Sequence, residues 1–278
     1  RRLAGPPELR RAVAGPPLRP RPQRRPGPPG TQAGAPCPDG RDMTLPSPIS
    51  SSRNQLLAAM SPEDAELIRT ALEPVPLPVR QRLEMPNRPI EHVYFPERGV
   101  ASVIAIGRHD RRAESGLFGR DGMSGLPVVL GDDRSPHETF MQIEGSGRRI
   151  ESAALREAMD RSPTLRALLL RYVHVRLIQS AQTGLSNAKS RMDQRLARWL
   201  LMCRDRIDEP AMPLTHAFLS TMLGVRRAGV TEALHELERR GLIAVSRGSI
   251  EILDRPGLIA AADGSYGLPE TEYARLFS

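Results

Sequence analysis

Residues 214–254, LTHAFLSTMLGVRRAGVTEALHELERRGLIAVSRGSIEILD, have the pattern of a helix, a tight turn, a second helix and a two-stranded wing. Thr215 is a good N-cap for the first helix, and apolar residues follow it at helical spacing. Gly224 lets the chain reverse direction, and the second helix is predicted over residues 227–240 with Gly241 as its stop. This order predicts a winged helix-turn-helix.

The wing is predicted from two short β-type runs, residues 242–246 and 249–253, which Arg247 and Gly248 join. An unspecified helical hairpin is the alternative for this segment, because two short helices around a glycine turn occur in many proteins that never touch DNA. The wing and the paired arginines at the start of the second helix favour the winged unit.

A winged helix-turn-helix places its second helix in the DNA major groove, with the first residues of that helix at the base edges. Those residues are Arg226 and Arg227, and arginine suits bidentate contact with guanine. Between residues 226 and 240 four arginines stand against three glutamates, so binding would depend on placed contacts and dimerisation more than on bulk charge. The predicted DNA contacts are Thr215, His216, Arg226, Arg227, Gly229, Thr231, Glu232, His235 and Arg247.

The net charge of +8 is concentrated in the first part of the 278-residue chain. Residues 1–42 hold nine arginines against Glu8, Asp39 and Asp42, so they carry six of the eight charges. Residues 1–50 also hold 13 of the 27 prolines and have no hydrophobic periodicity. We predict a disordered Pro/Arg-rich tail there. A nucleic-acid-binding arm and an untranslated segment ahead of Met43 are the alternatives.

The two cysteines, Cys37 and Cys203, lie far apart. They offer neither a disulfide framework nor the closely spaced ligands of a metal or iron–sulfur site. No apolar run approaches the length of about 18 residues that spans a membrane, and no signal-peptide core precedes the first folded segment. The expectation is a cytoplasmic protein with no membrane partner, no metal and no cofactor.

Residues 51–160 are predicted to form an antiparallel jelly-roll domain with helices at its N-terminal end. A short helix over residues 54–60 comes first, and Ser61-Pro62-Glu63-Asp64 is a strong start signal for the next. Short apolar runs then alternate with Gly, Pro and Asp, which is typical of an antiparallel sandwich or barrel. The predicted strands are residues 92–95, 100–106, 115–118 and 139–143.

A helical pattern begins near residue 151, with a short helix over residues 153–159 and a long one that Ser162-Pro163 opens. The long helix, residues 161–188, is the predicted dimerisation helix, because its apolar seam is longer than one domain surface needs. An ordinary helix covering the sandwich is the alternative. The predicted interface residues are Leu165, Leu168, Leu169, Tyr172, Gln179 and Thr183. A hinge near residues 185–190, the winged domain at 189–262 and a tail at 263–278 complete the predicted α+β organisation.

This order of elements resembles the Crp/Fnr family of bacterial transcription regulators, over about residues 52–262. Residues 214–243 follow the helix-turn-helix pattern of the family without gaps. Residues 92–106, HVYFPERGVASVIAI, and 119–133, GRDGMSGLPVVLGDD, are similar to a divergent subgroup. The resemblance implies a sequence-specific regulator that binds a pseudo-palindromic double-stranded operator as a homodimer, with recognition helices in major grooves about 34 Å apart. RNA polymerase is an expected partner only if the protein activates transcription.

The recognition helix departs from the family pattern of Ser-Arg-Glu-Thr-Val followed two residues on by Arg. Arg227 matches that pattern, but Ala228 replaces the base-reading glutamate and Glu232 replaces the later arginine. The operator preference of better-known members therefore does not carry over. His216 occupies a position where the family often has a DNA-contacting arginine, and a solvated histidine is the alternative there.

The sensor half also departs from the cyclic-nucleotide-binding members of the family. Their phosphate cassette has Gly-Glu and then Arg-Ser directly before an apolar strand, because a cyclic phosphate needs a guanidinium and hydrogen-bond donors. Here Met123 follows Gly122, and Arg134-Ser135 is separated from the strand by Pro136, His137 and Glu138. We therefore expect an effector other than a cyclic nucleotide. The members of the family that bind an iron–sulfur cluster need clustered cysteines, which this chain does not have. His92 and His109 are weak candidates for a haem ligand.

Two other classes of function compete with a regulator. A cupin-like metalloenzyme needs closely spaced histidines with a carboxylate, but the six histidines are His92, His109, His137, His174, His216 and His235, and no two lie close enough for that motif. No nucleophile elbow, P-loop or HExxH motif is present, so we expect no enzyme. A sensor or scaffold whose winged helix contacts protein instead of DNA is the other alternative.

Overall fold

The structure, a computed structural model, describes residues 49–277, so the predicted tail of residues 1–50 lies outside it apart from the last two residues. The helices of this part of the chain are α1 (Gln55–Ala58), α2 (Pro62–Arg69), α3 (Leu126–Val129), α4 (Ser152–Arg161), α5 (Pro163–Lys189), α6 (Met192–Arg204), α7 (His216–Met222), α8 (Arg227–Arg239), α9 (Arg255–Ala261) and α10 (Leu268–Phe277). The strands are β1 (Glu73–Leu77), β2 (Arg82–Glu84), β3 (His92–Pro96), β4 (Val100–Ile106), β5 (Arg112–Phe118), β6 (Glu138–Ile143), β7 (Gly145–Glu151), β8 (Ala211–Met212), β9 (Ile243–Ser246) and β10 (Ser249–Ile252).

The N-terminal domain is built on two antiparallel sheets, ordered β1-β7-β3 and β2-β6-β4-β5. Side chains from both sheets pack together between them, including Leu77 of β1, Tyr94 of β3, Phe118 of β5 and Met141 of β6. Both sheets are open. The predicted α+β class and β domain are confirmed.

All four predicted strands are present, and β4 has the predicted bounds. The sequence pattern missed β1, β2, β7 and the two-residue β8. Strand β1 contains Pro74 and Pro76, and it lies at a sheet edge where missing N–H donors are tolerated. Strand β7 is polar and contains Gly145 and Gly147, so it has no apolar alternation to detect. A Cβ at Gly147 would collide with the carbonyl oxygen of Phe95, which explains the glycine.

Helix starts were predicted well where a hydroxyl side chain caps them. The side chains of Ser61, Ser162 and Thr215 each accept a backbone N–H bond from the first turn of α2, α5 and α7. The helix predicted over residues 153–159 begins one residue earlier, with Glu151 as the N-cap and Ser152 as the first helical residue. The Ser152 hydroxyl donates to the carbonyl oxygen of Ile90, and so joins α4 to the start of β3.

The winged unit packs directly on the four-stranded sheet. One continuous core joins Ile104 of β4 and Leu117 of β5 to Trp199 of α6 and Leu219 of α7. The third sheet, β8-β10-β9, forms the wing, and its antiparallel β9–β10 pair matches the two predicted runs. The predicted hinge at residues 185–190 falls where α5 ends and α6 begins, and motion there stays a prediction.

The predicted C-terminal tail, residues 263–278, is helical over most of its described length. Its residues include α10, which packs along α5. Tyr273 and Phe277 of α10 pack against the core beneath α5, with their ring centroids 4.6 Å apart. In the described residues, no helix has both the length and the apolar character needed to cross a membrane.

Candidate nucleic-acid interface

Helices α7 and α8 form the predicted helix-turn-helix. Gly224 between them has a φ of +63°, a left-handed conformation that glycine adopts without steric cost. The buried face of α8 consists of Val230, Ala233, Leu234 and Leu237. The helix therefore keeps one face in the core and leaves the other open to solvent.

The solvent face of α8 brings most of the predicted contacts together. Arg227, Glu232 and His235 are exposed, and Thr231 is half-buried beside them. Gly229 lies at the edge of this face, where a Cβ would meet open space. Ala228, which the sequence places where the family has a base-reading glutamate, is exposed on the same face.

Three predicted arginines lie around this face. Arg226 is the N-cap residue of α8, Arg227 is its first residue, and Arg247 lies in the β9–β10 turn. All three are exposed, and within residues 49–277 none makes a side-chain hydrogen bond or ion pair. Three cations therefore remain available for phosphates or base edges.

Three other charged residues of α8, Glu236, Glu238 and Arg239, are engaged within the protein. Glu236 pairs with Arg239 at 2.8 Å. An oxygen of Glu238 accepts the backbone N–H of Val245 in β9 at 3.0 Å, so this glutamate connects the recognition helix to the wing. Nothing in the sequence singled out Glu238, since its bond crosses to another element.

Two further predicted contacts lie at the start of α7. The Thr215 hydroxyl caps the helix by accepting the N–H of Phe218 at 3.2 Å. His216 is half-buried, and its Nδ1 lies 3.0 Å from the hydroxyl oxygen of Thr231 in α8. His216 therefore joins the two helices, a role that the sequence did not suggest.

A basic hairpin lies beside the α7–α8 turn. Strands β4 and β5 are joined through exposed Arg108 and Arg111. A Cβ on Gly224 would lie 3.5 Å from the Cβ of Ala113 in β5. The sequence pattern did not single out these arginines, because their proximity to the winged unit depends on how that unit packs.

Buried polar bonds hold the winged unit on the sheet. The Trp199 indole N–H donates to Glu114 of β5 at 2.9 Å, and the hydroxyl of Ser102 in β4 donates to the same carboxyl at 2.6 Å. Burial raises the pKa of Glu114 above its ordinary value, while these two hydrogen bonds act in the opposite direction. The amide of Gln142 contacts the buried thiol of Cys203 at 3.6 Å.

The residues predicted for the dimer interface are buried inside the chain itself. Leu165, Leu168, Leu169 and Tyr172 belong to the core shared with α2 and α4. Gln179 accepts the N–H of Leu117 in β5. Thr183 accepts a hydrogen bond from Arg198 of α6. The prediction chose the face of α5 that covers the sheets, so these side chains offer no surface to a second copy.

The opposite face of α5 carries an exposed apolar stripe, which we term the α5 seam. Its residues recur at alternating intervals of three and four, the spacing that keeps one face of a helix in line. Leu177 is 64% exposed and Leu170 is 42% exposed. The seam consists of Ala167, Leu170, His174, Leu177, Ala181, Gly184 and Ala188, all exposed.

A cavity of 160 Å³ lies between α3, β6 and α5 in the sensor half. His137 lines it. Glu138 does not, because its carboxyl pairs with Arg82 and Arg112 at 2.9 and 2.7 Å. The cavity carboxyl is that of Glu84, whose pKa is raised by burial and which accepts the N–H of Gly125 at 2.7 Å.

Among the described residues, the guanidinium groups that could hold a phosphate either lie away from this cavity or are engaged by other groups. Arg134 pairs with Asp133 at 2.7 Å on the surface and does not line the cavity. Gly122 is packed against the Tyr172 side chain, which leaves no room for a Cβ there. Arg176 reaches the cavity, and it also bonds the carbonyl oxygen of Leu117.

The two weak haem-ligand candidates lie apart in the fold. His92 is a half-buried residue of β3, whereas His109 is exposed in the β4–β5 connection with a φ of +58°. Within the described part of the chain, no cluster of three or more His, Cys, Asp or Glu residues could hold a metal ion.

Comparison with known proteins agrees with this geometry. Residues 194–261 match the Crp-like helix-turn-helix domain. The global nitrogen regulator of Nostoc sp. is 26% identical over 181 residues, which cover 60% of this chain and 79% of the regulator. The chain carries a Crp-like helix-turn-helix domain at its C-terminal end. The resemblance inferred from the sequence is thereby confirmed.

Solved structures of this type share the fold. A transcriptional regulator of the Crp/Fnr family from Eubacterium rectale aligns with a TM-score of 0.59 and 17% identity, over 75% of this chain and 98% of that one. FixK2 from Bradyrhizobium japonicum aligns with a TM-score of 0.58 and 17% identity, over 68% and 96% of the two chains. At these identities the likeness extends to the fold alone.

Proposed function

We propose that this protein is a sequence-specific transcription regulator of the Crp/Fnr type that reads double-stranded DNA with α8. The observation that carries the proposal is the set of three exposed arginines, Arg226, Arg227 and Arg247, around the solvent face of α8, all unpaired within residues 49–277. Arginines at the helix start suit base edges, and an arginine in the wing suits a phosphate.

Hydrogen bonds to neighbouring elements hold α8 in place. This support favours sequence-specific recognition of DNA over non-specific electrostatic binding. The α7–α8 connection is fixed by the His216–Thr231 bond, and the α8–β9 connection by the Glu238–Val245 bond. Arg195 of α6 also donates to the carbonyl oxygen of Leu223 near the turn. A supported helix can present its arginines in one geometry, which sequence discrimination requires.

The proposed active form is a homodimer that pairs through the α5 seam. Helix α5 has 27 residues, which corresponds to a length of about 40 Å. The seam combines leucines with small residues, and Gly184 and Ala181 would let two helices approach closely. The winged unit follows the C-terminal end of α5, so parallel pairing along the seam would bring two recognition helices to the same side of the dimer.

The proposed effector, if one binds, is not a cyclic nucleotide. The sensor cavity combines apolar walls with the carboxyl of Glu84, and Arg176 is the cation that reaches it. A carboxylate in such a cavity repels a phosphate. Cyclic AMP and cyclic GMP are therefore expected to leave the melting temperature of the full chain unchanged. Contact with RNA polymerase remains a prediction from the resemblance.

Selection of binding sites from random duplexes tests the proposal. Full-length protein is incubated with the duplex pool near physiological salt, and recovered sequences are compared. We expect a two-fold symmetric motif for which the logarithm of affinity falls linearly with the logarithm of salt concentration. Recovery of no motif, with weak binding equal for all duplexes, would contradict DNA readout and favour a winged helix that contacts protein.

A further inference from the structure

A second cavity, of 230 Å³, lies between α10 and α5. Its walls come from α1, the segment after β5, helix α5, the residues that follow α6, and helix α10 with the residues that precede it. It is distinct from the sensor cavity between α3 and β6, although Arg176 reaches both. The groups that define it are Asp121, Tyr172, Arg206, Tyr266, Glu270 and Tyr273.

Tyrosines are concentrated around this cavity. The chain has four tyrosines, and three of them, Tyr172, Tyr266 and Tyr273, line it. Tyr172 donates to the carbonyl oxygen of Met123 at 3.2 Å, and Tyr266 donates to Asp205 at 2.7 Å. The hydroxyl of Tyr273 is buried and has no hydrogen-bond partner among the described residues. Buried polar groups are normally satisfied, so this hydroxyl marks a place for a ligand atom.

The arginines around the cavity are already engaged, Arg206 by a carboxylate and Arg176 by groups without charge. Arg206 forms a two-point ion pair with Asp121, with distances of 2.9 and 2.5 Å. Arg176 bonds the carbonyl oxygen of Leu117, and its guanidinium carbon lies 5.6 Å from the centre of the Phe118 ring. An anionic ligand would have to compete with these bonds.

One carboxyl of the cavity wall has no ion-pair partner within residues 49–277. Asp205 pairs with Arg255 at 2.7 Å, and Asp121 pairs with Arg206, whereas Glu270 accepts only the backbone N–H of Gly267, at 3.1 Å. Burial raises the pKa of Glu270, with a backbone hydrogen bond and the charge of Arg206 acting in the opposite direction. A ligand cation would supply the missing partner.

We propose that this cavity binds a small organic cation, an ammonium with an apolar body. Aromatic side chains around a buried carboxylate attract such cations, because the ring faces are negative and the apolar groups fill the space between them. Glu270 provides the opposite charge, the tyrosines provide the walls, and Tyr273 offers its hydroxyl to a polar group of the ligand. The proposal does not depend on the DNA-binding function.

A ligand in this cavity would contact three parts of the fold at once. It would lie against the β domain through Asp121, against α5 through Tyr172, and against the winged unit through Arg206. Bound cation is therefore expected to raise the stability of the whole described fold, since binding to the native state alone adds to the free energy of unfolding.

Thermal unfolding and titration calorimetry of the full chain test the proposal with matched pairs of probes. Choline is compared with its neutral isostere 3,3-dimethylbutan-1-ol, and benzylammonium with benzyl alcohol. We expect at least one of the two ammonium compounds to raise the melting temperature. That compound should also bind at least about 10-fold more tightly than its neutral isostere, a factor that corresponds to roughly 1.4 kcal/mol. Equal binding of the neutral isosteres, or binding of neither ammonium, would overturn the proposal.

Variants locate the binding. Glu270→Gln keeps an oxygen to accept the Gly267 N–H and removes the charge, so we expect a loss of cation affinity of at least about 10-fold. Glu272→Gln is the control, because Glu272 lies on the same helix, pairs with Arg275 and does not line the cavity. Tyr273→Phe keeps the ring and should bind the cation. If cation binding survives Glu270→Gln unchanged, or if phosphate stabilises the protein instead, the proposal is wrong.

Discussion

The imidazole Nδ1 of His216 lies 3.0 Å from the hydroxyl oxygen of Thr231, so one hydrogen bond joins the two helices of the helix-turn-helix. The Thr231 hydroxyl also donates to the carbonyl oxygen of Arg227, at 3.1 Å. Since that bond uses the single hydroxyl proton, the His216 ring must donate from Nδ1. Its Nε2 is then the ring nitrogen available to DNA, and the start of α7 is held in register with the first turn of α8.

Loss of the Thr231 hydroxyl should loosen this arrangement. Thr231→Val keeps the shape of the side chain and removes both bonds, so we expect a loss of about 1 kcal/mol in the free energy of unfolding. DNA affinity should fall as well. Thr221→Val is the matched control, since Thr221 makes a comparable bond to the carbonyl oxygen of Ala217 within α7 and none to α8. Urea unfolding and DNA titration of both variants check the prediction, which fails if Thr221→Val is as damaging.

Arg227→Ala should weaken operator binding without loss of fold. Arg227 is exposed and unpaired in the described structure, so its removal breaks no internal side-chain bond there. A direct base contact predicts a loss of about 1–3 kcal/mol in binding and relaxed discrimination at one base pair. Arg240→Ala is the control, because Arg240 is exposed at the other end of the same helix. Equal binding by the two variants would show that α8 does not enter the groove by its N-terminal end.

Leu177→Arg should separate the proposed dimer. Leu177 lies in the middle of the α5 seam and is 64% exposed in the single chain. A charge there would be desolvated on pairing but would cost little in the isolated protomer. Leu130→Arg is the control, because Leu130 is 63% exposed and lies outside the seam. Sedimentation velocity should show a monomer for the first variant and a dimer for the second, and a dimer in both would exclude this seam.

The stability of the protein should depend on pH through Glu114. Burial raises the pKa of this carboxyl above its ordinary value of 4.5, so the folded state binds its proton more tightly than the unfolded state does. The contribution to stability is therefore full below pH 4.5 and is lost as pH rises through the higher pKa of the folded protein. Glu114→Gln should flatten this part of the profile, measured as free energy of unfolding against pH.

Exposed Glu251 offers the control for that profile, because Glu251→Gln should leave the wild-type pH dependence in place. In the Glu114→Gln variant the new amide oxygen could still accept the Trp199 N–H, so the variant is expected to fold. A profile for Glu114→Gln that falls as steeply as that of the wild type would show that Glu114 is not the group that responds.

The sequence predicted the structure best where the residues that determine an element lie within that element. Capping hydroxyls at Ser61, Ser162 and Thr215 and the glycine turn at Gly224 located helix starts and the reversal, because these contacts lie within a few residues of each other. The exposed face of α8 also followed from periodicity within one helix. The residues of the solvent face of α8 could therefore be predicted as a set, and their contact with DNA stays a prediction.

Features that depend on packing between distant elements could not be predicted. An apolar stripe on α5 is compatible with a partner helix or with the chain's own sheets, and periodicity does not distinguish the two. The predicted stripe covers the sheets, whereas the weaker pattern of alanines, glycine and leucines remains exposed. Glu114, Glu238 and Glu270 likewise gain their roles from partners 7 to 85 residues away or from burial alone.

The proposed function requires that two α8 helices of one dimer read successive major grooves. The direct test is hydroxyl-radical footprinting of the full chain on a selected duplex, with Arg227→Ala beside the wild type. We expect two protected half-sites whose centres lie about 10 base pairs apart, with both lost in the variant. A single protected segment without two-fold symmetry, or protection unchanged by Arg227→Ala, would contradict dimeric readout by α8.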